Sequence, residues 1–129
     1  MNDLAKYRLE RAKEDLDHSV KDFNDGALRV ANNRAYYSIF HSMRAVLALE
    51  GKDFKKHSGV ISYFNQHYIK TKIFPLDLYN LISAASEIRN ASDYDDFYIA
   101  SVEETREQIE SAKLIYDLVE KYINSQEQK

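Results

Sequence analysis

Three short stretches of this 129-residue chain collect residue types that handle phosphate and protons. Arg34–His41 reads RAYYSIFH, Lys55–Val60 reads KKHSGV and Arg89–Tyr94 reads RNASDY. A helix turns about 100° per residue, so Arg34, Ser38 and His41 share one side, with Tyr37 and Arg44 flanking them. A guanidinium suits phosphate, and an imidazole can exchange a proton near neutral pH. The candidate polar set is therefore Arg34, Tyr37, His41, Lys56, His57, Arg89, Asp93 and Tyr94. His41, His57 and Arg89 are the candidates for catalysis. Each also has an ordinary structural explanation. Arg34 facing Asp93 would be a half-buried ion pair, and His41 a satisfied core histidine.

Other chemistries lack their residues. There is no cysteine, so thiolate metal sites, disulfides and a cysteine nucleophile are excluded. No glycine-rich phosphate loop, HExxH, GxSxG or zinc spacing occurs. Glu14, His18 and Asp22 stand at i, i+4 and i+8 of one helix face, which reads as a solvated charged face rather than a metal set. Neither metal nor cofactor is expected.

Charge is unevenly distributed. Residues 29–72 carry 8 basic and 2 acidic side chains, whereas residues 73–129 carry 5 basic and 12 acidic ones. A basic middle suits a phosphate-bearing ligand or an acidic partner, or packs near the acidic part of its own fold. No apolar run approaches the roughly 20 residues of a membrane span, and the charged start lacks a signal-peptide core. A cytoplasmic protein with no membrane partner is expected.

The elements that must position these groups are helices. The central one spans residues 27–50, closed by Gly51, and gathers Tyr36, Ile39, Phe40, Met43, Val46 and Leu47 on a broad apolar face. Ala31, Ala35, Ala45 and Leu49 widen that face. Such breadth suits a bundle centre or a homodimer interface. The first helix, residues 2–23, repeats Leu9, Leu16 and Phe23 with Ala5, Ala12 and Ser19 between them, a seam narrow enough for close approach. Ser58 or His57 is expected to cap a third helix carrying Val60, Ile61, Phe64 and Tyr68. Pro75 is placed to open a fourth, with Leu78, Leu81, Ile82, Ala85 and Ile88 inward, fraying through RNASDYDDF. Ser101 and Glu104 form a capping box for the last helix. The prediction is an all-α, up-and-down helical bundle of four to five helices, one domain over residues 1–124 with a disordered tail at 125–129.

RAYYSIFH, KKHSGV and RNASDY, in that order, resemble the HEPN domain family, the higher-eukaryote and prokaryote nucleotide-binding domains. The resemblance spans nearly the whole chain and is nearest to small stand-alone prokaryotic members with an RAYYxxFH signature. It implies a helical bundle, often dimeric, that works beside a minimal nucleotidyltransferase in toxin–antitoxin or defence systems. Many members are metal-independent endoribonucleases with an arginine followed four to six residues later by a histidine. Here Arg89 is followed by Asn90, Ala91, Ser92, Asp93, Tyr94 and Asp95, and no histidine occurs downstream.

Three functions follow. The first is a nucleotide- or RNA-associated binding protein paired with a nucleotidyltransferase, with Arg34 and Arg89 on phosphate. The second is an endoribonuclease in which His41 or His57 replaces the missing base. The third is a structural dimer around a buried ion-pair network. The binding function fits best, since phosphate-capable arginines are present and the family's catalytic pair is not.

Overall fold

The structure, a computed structural model, describes residues 2–129. Five helices make the bundle: α1 (Asp3–Asn24), α2 (Leu28–Ala48), α3 (His57–Phe64), α4 (Leu78–Tyr94) and α5 (Val102–Glu127). No strand occurs among the described residues. A π-helical turn, Asn65–Ile69, extends α3 and brings Tyr68 and Ile69 into the core.

The α2 helix packs against all four other helices, α1 most extensively. Most of its 21 residues are buried. Its wide apolar girth is thus accounted for at the centre of a single chain, and the breadth no longer argues for a dimer interface. The close approach expected of α1 is realised. Ala5, Ala12 and Ser19 are fully buried. With no bulk between the helices, Ser19 donates to the Ala31 carbonyl at 2.7 Å and Ser38 to the Ala12 carbonyl at 2.8 Å. Gly51, at φ +70°, ends α2 in a conformation that disfavours any Cβ.

Several boundaries differ from the sequence expectation. Lys56, not Ser58 or His57, precedes α3, and no side chain caps it. Pro75 starts a turn rather than α4; its carbonyl accepts the Leu78 N–H at 3.1 Å. Burial of Phe74 and Leu78 on either side fixes that turn. The Ser101 hydroxyl caps α5 by accepting from the Glu104 N–H, but the Glu104 carboxylate takes the Tyr98 hydroxyl instead of closing the box. Helix α5 continues through residues 125–127.

The largest difference is at the end of α4, which does not fray at Arg89 but runs to Tyr94. Local propensity is overruled by α2. Arg29 donates to the carbonyls of Ser92, Asp95 and Tyr98, Asn32 to the Ser92 hydroxyl and Asn33 to Asp93. Three of these bonds hold the last turn of α4 and two hold the segment just after it, and that turn carries the third polar motif.

Candidate functional site

Helix α2 presents its polar side to α1 on one flank and α4 on the other. On the α4 flank, Arg89 and Asp93 are one turn apart, with Nε 3.0 Å from Oδ2. Arg89 also donates to the Tyr37 hydroxyl at 2.9 Å. Its Cζ lies 5.3–5.6 Å from the ring centres of Tyr36, Tyr37 and Tyr94, within cation–π range. The loop after α2 and the start of α3 bring His57 onto the same group. Its ring lies 4.1 Å from that of Phe40, and its Nδ1 is 3.0 Å from the Tyr36 hydroxyl. Burial raises that hydroxyl to about 12, while burial and then Arg89 lower His57. The Tyr36 hydroxyl and His57 Nδ1 thus share one hydrogen bond.

On the α1 flank lies an open cleft of about 550 Å³, lined by Arg11, Asp15, Arg34, Tyr37, His41 and Arg44, with Val30, Asn33 and Phe40 completing the wall. Asp15 is 7% exposed, and its oxygens meet Arg34 at 3.4 Å and His41 Nε2 at 3.8 Å. Desolvation raises the Asp15 carboxyl in spite of Arg34. His41 is pushed down to about 4, first by burial and then by Arg11, Arg44 and Arg8. It is a neutral imidazole among cations, and its Nδ1 has no hydrogen-bond partner. Arg44 is aimed by Asp53, which it meets at 2.9 Å. The almost buried Arg8 shares that carboxylate at 3.0 Å and donates to the Arg44 carbonyl.

Of the residues singled out in the sequence, Arg34, Tyr37, His41, His57, Arg89 and Asp93 lie on this one side of α2. Tyr37 joins the two halves, lining the cleft while receiving Arg89. Lys56 is exposed beside His57, and Tyr94 is 73% exposed at the rim. The expected Arg34–Asp93 pair does not form. Asp93 takes Arg89 and Asn33, and Arg34 takes Asp15. Glu14 and His18 are exposed away from the core.

Sequence reasoning missed the α1 contribution of Arg11 and Asp15. A signal was present: Arg8 and Asp15 stand seven apart, each one position before Leu9 and Leu16 of the buried seam. Charged residues so placed must find partners on the neighbouring helix.

The arrangement is a cationic concavity with one recessed carboxylate and one neutral imidazole, His41, and with His57 behind the Phe40 ring. It can hold phosphate oxygens on guanidinium groups and offers a ring for a base to stack on. No group of three or more His, Cys, Asp or Glu among the described residues could hold a metal ion.

Comparison with known proteins gives a consistent result. A UPF0332 protein of Thermotoga maritima is 32% identical over 93% of this chain and 91% of its own length. A Methanocaldococcus jannaschii protein named "Putative toxin MJ0142" is 30% identical over 91% of this chain and 80% of its own. The crystal structure of TT1696 from Thermus thermophilus superposes with a TM-score of 0.78 at 20% identity, covering 94% of this chain and 98% of that one. ST0689, described as an archaeal HEPN homologue, superposes at 0.74 and 17% identity over 92% and 97%. At that identity the two structures speak for the fold alone. The family model for the HEPN domain matches residues 5–122, and the chain belongs to the HEPN domain family.

Proposed function

We propose that this protein is the RNA- or nucleotide-binding member of a toxin–antitoxin or defence pair, acting as a homodimer beside a nucleotidyltransferase. The observation that carries the reading is the α1–α2 cleft, where Arg11, Arg34 and Arg44 converge around a neutral, recessed His41. Guanidinium groups supply the charge that a phosphate chain needs, and the half-buried Tyr37 supplies a ring beside it. The toxin name carried by relatives in Methanocaldococcus jannaschii favours the paired role. The exposed Tyr94, Phe97, Ile99 and Val102 offer an apolar surface to a protein partner.

The test is titration of a fluorescent single-stranded RNA oligomer at several salt concentrations. Each phosphate contact on a single strand contributes about −0.7 to the slope of log affinity against log salt. Arg34→Ala/Arg44→Ala is expected to weaken binding at least tenfold and to flatten the slope by about 1.4. Unchanged affinity and slope would remove the cleft as the binding site.

One observation favours ribonuclease activity as a second reading: His57 is neutral and stands beside Arg89. A general base works best with a pKa near the operating pH. His41, at about 4, is too weak a base for this, which leaves His57, lowered by burial and by Arg89, as the candidate. Cleavage of labelled RNA that persists in His41→Gln and disappears in His57→Gln would favour this reading. Cleavage unchanged in both variants would exclude it.

A further inference from the structure

Helices α4 and α5 both pack on α2 but barely touch each other. Between them runs an open groove of about 420 Å³ that shares no lining residue with the α1–α2 cleft. Its α4 wall carries Leu81 and Ala84, half-buried and about one turn apart. Its α5 wall runs from Glu107 to Leu114, about 10 Å at the rise of a helix. Leu114 leaves 47% of its surface in water. The charge along this apolar floor is all of one sign. Glu107 and Glu110 line it, and no lysine or arginine does. Both carboxylates are exposed, and neither takes part in a hydrogen bond or ion pair among the described residues. A second acceptor lies deeper. Gln108 lines the same groove at 7% exposure, and its buried carboxamide oxygen has no hydrogen-bond partner. A buried polar atom in that state is rare in a folded chain and asks for a donor.

We infer that the α4–α5 groove is the docking site for a cationic amphipathic helix of a partner protein. An apolar ridge at i, i+3 or i+4, and i+7 on that helix lies along Leu81, Ala84 and Leu114, the spacing by which a helix fills a groove. Lysines or arginines beside the ridge meet Glu107 and Glu110, and one of their N–H groups donates to the Gln108 oxygen. The charge argues against the other occupants. A second copy of this chain docking by the same face would bring Glu107 and Glu110 against their own equivalents, and like charges oppose that contact. The same carboxylates repel a phosphate chain, which the arginine-lined cleft attracts. This surface is therefore separate from the cleft in both position and sign.

The test titrates the full chain into three fluorescent synthetic peptides of equal length at physiological salt. One is a leucine–lysine helix with its leucines on a single stripe. The second has the same composition in an order that destroys the stripe, and the third has glutamate in place of lysine. The striped cationic peptide is expected to bind at least about tenfold more tightly than either control. Glu107→Lys/Glu110→Lys should weaken it by at least about tenfold, and Leu114→Ala by about threefold. Glu14→Lys/Asp17→Lys makes the same change of net charge on the exposed face of α1 and should alter binding by less than about threefold, because distant charges are screened at that salt. Equal binding of the striped and reordered peptides overturns the inference, as does an equal loss in the two double variants. Failure of the wild type to bind the striped peptide overturns it too. The peptide comparison needs no variant, so it decides the matter even if a substituted chain fails to fold. Peptide and RNA are titrated separately, so this groove and the α1–α2 cleft can fail independently.

Discussion

Two arginines with the same appearance in the sequence occupy opposite situations. Arg89 is enclosed: its side chain is 16% exposed, touches Asp93 and the Tyr37 hydroxyl, and faces three tyrosine rings. Arg34 is 43% exposed, and its one carboxylate contact is long, at 3.4 Å. A guanidinium enclosed by its own fold, with a carboxylate one turn away and three rings around it, is a fastener between α4 and α2. One that is half in water and weakly engaged can exchange its partner for a ligand phosphate. The family resemblance points to Arg89 as a phosphate contact, whereas the geometry gives that work to Arg34 and its neighbours on the α1 side.

The comparison can be broken by measuring stability and binding separately. Arg89→Ala should show the largest stability effect, a loss of about 3 kcal/mol, because it removes the ion pair with Asp93, the hydrogen bond to Tyr37 and the contact with three rings together. A melting curve should fall by roughly 10 °C. A loss under about 1 kcal/mol would mean Arg89 is no fastener.

Next in size is an acid effect from His41. Unfolded, an imidazole takes its proton below about 6.5; folded, His41 waits until about 4. The unfolded chain binds more protons in that window, so stability is complete above it and drains away as pH falls from 6.5 toward 4. Urea unfolding at pH 7 and pH 4.5 should show on the order of 2 kcal/mol more acid loss in the wild type than in His41→Gln. Equal pH dependence would show that His41 is not the buried neutral group described.

Tyr37→Phe removes the hydroxyl that joins the two halves, at a cost of about 1 kcal/mol, since a hydrogen bond from a charged donor is lost while the ring stays. Arg34→Ala should cost less than about 1 kcal/mol in denaturant unfolding. It should still weaken RNA binding severalfold, the reverse of Arg89→Ala if the latter retains its fold. A larger stability loss in Arg34→Ala than in Arg89→Ala would invert the comparison.

How much of this was legible beforehand divides along the same line. The periods of α1, α2 and α5 announced a bundle, because their apolar positions repeat at helical spacing and nothing else competes with that signal. The α4 terminus was misread because Asn90, Ser92, Asp93 and Asp95 favour turns locally. The force that overrides them comes from Arg29, Asn32 and Asn33, some 60 residues earlier. Long-range hydrogen bonds leave no local pattern. In the site, the residues of α2 were visible because they share one helix face. Asp15 was hidden because its role depends on how α1 lies across α2, which seam residues such as Ala12 and Ser19 permit but do not spell out.

The most direct test of the cleft is an NMR titration with a single-stranded RNA oligomer, following arginine side-chain and histidine ring resonances together with backbone amides. The account predicts the largest shifts at Arg11, Arg34, His41 and Arg44, with Arg89 moving little because its partners are internal. Shifts gathered instead on Arg89 and the exposed segment around Phe97 and Ile99, with the α1–α2 cleft silent, would contradict it.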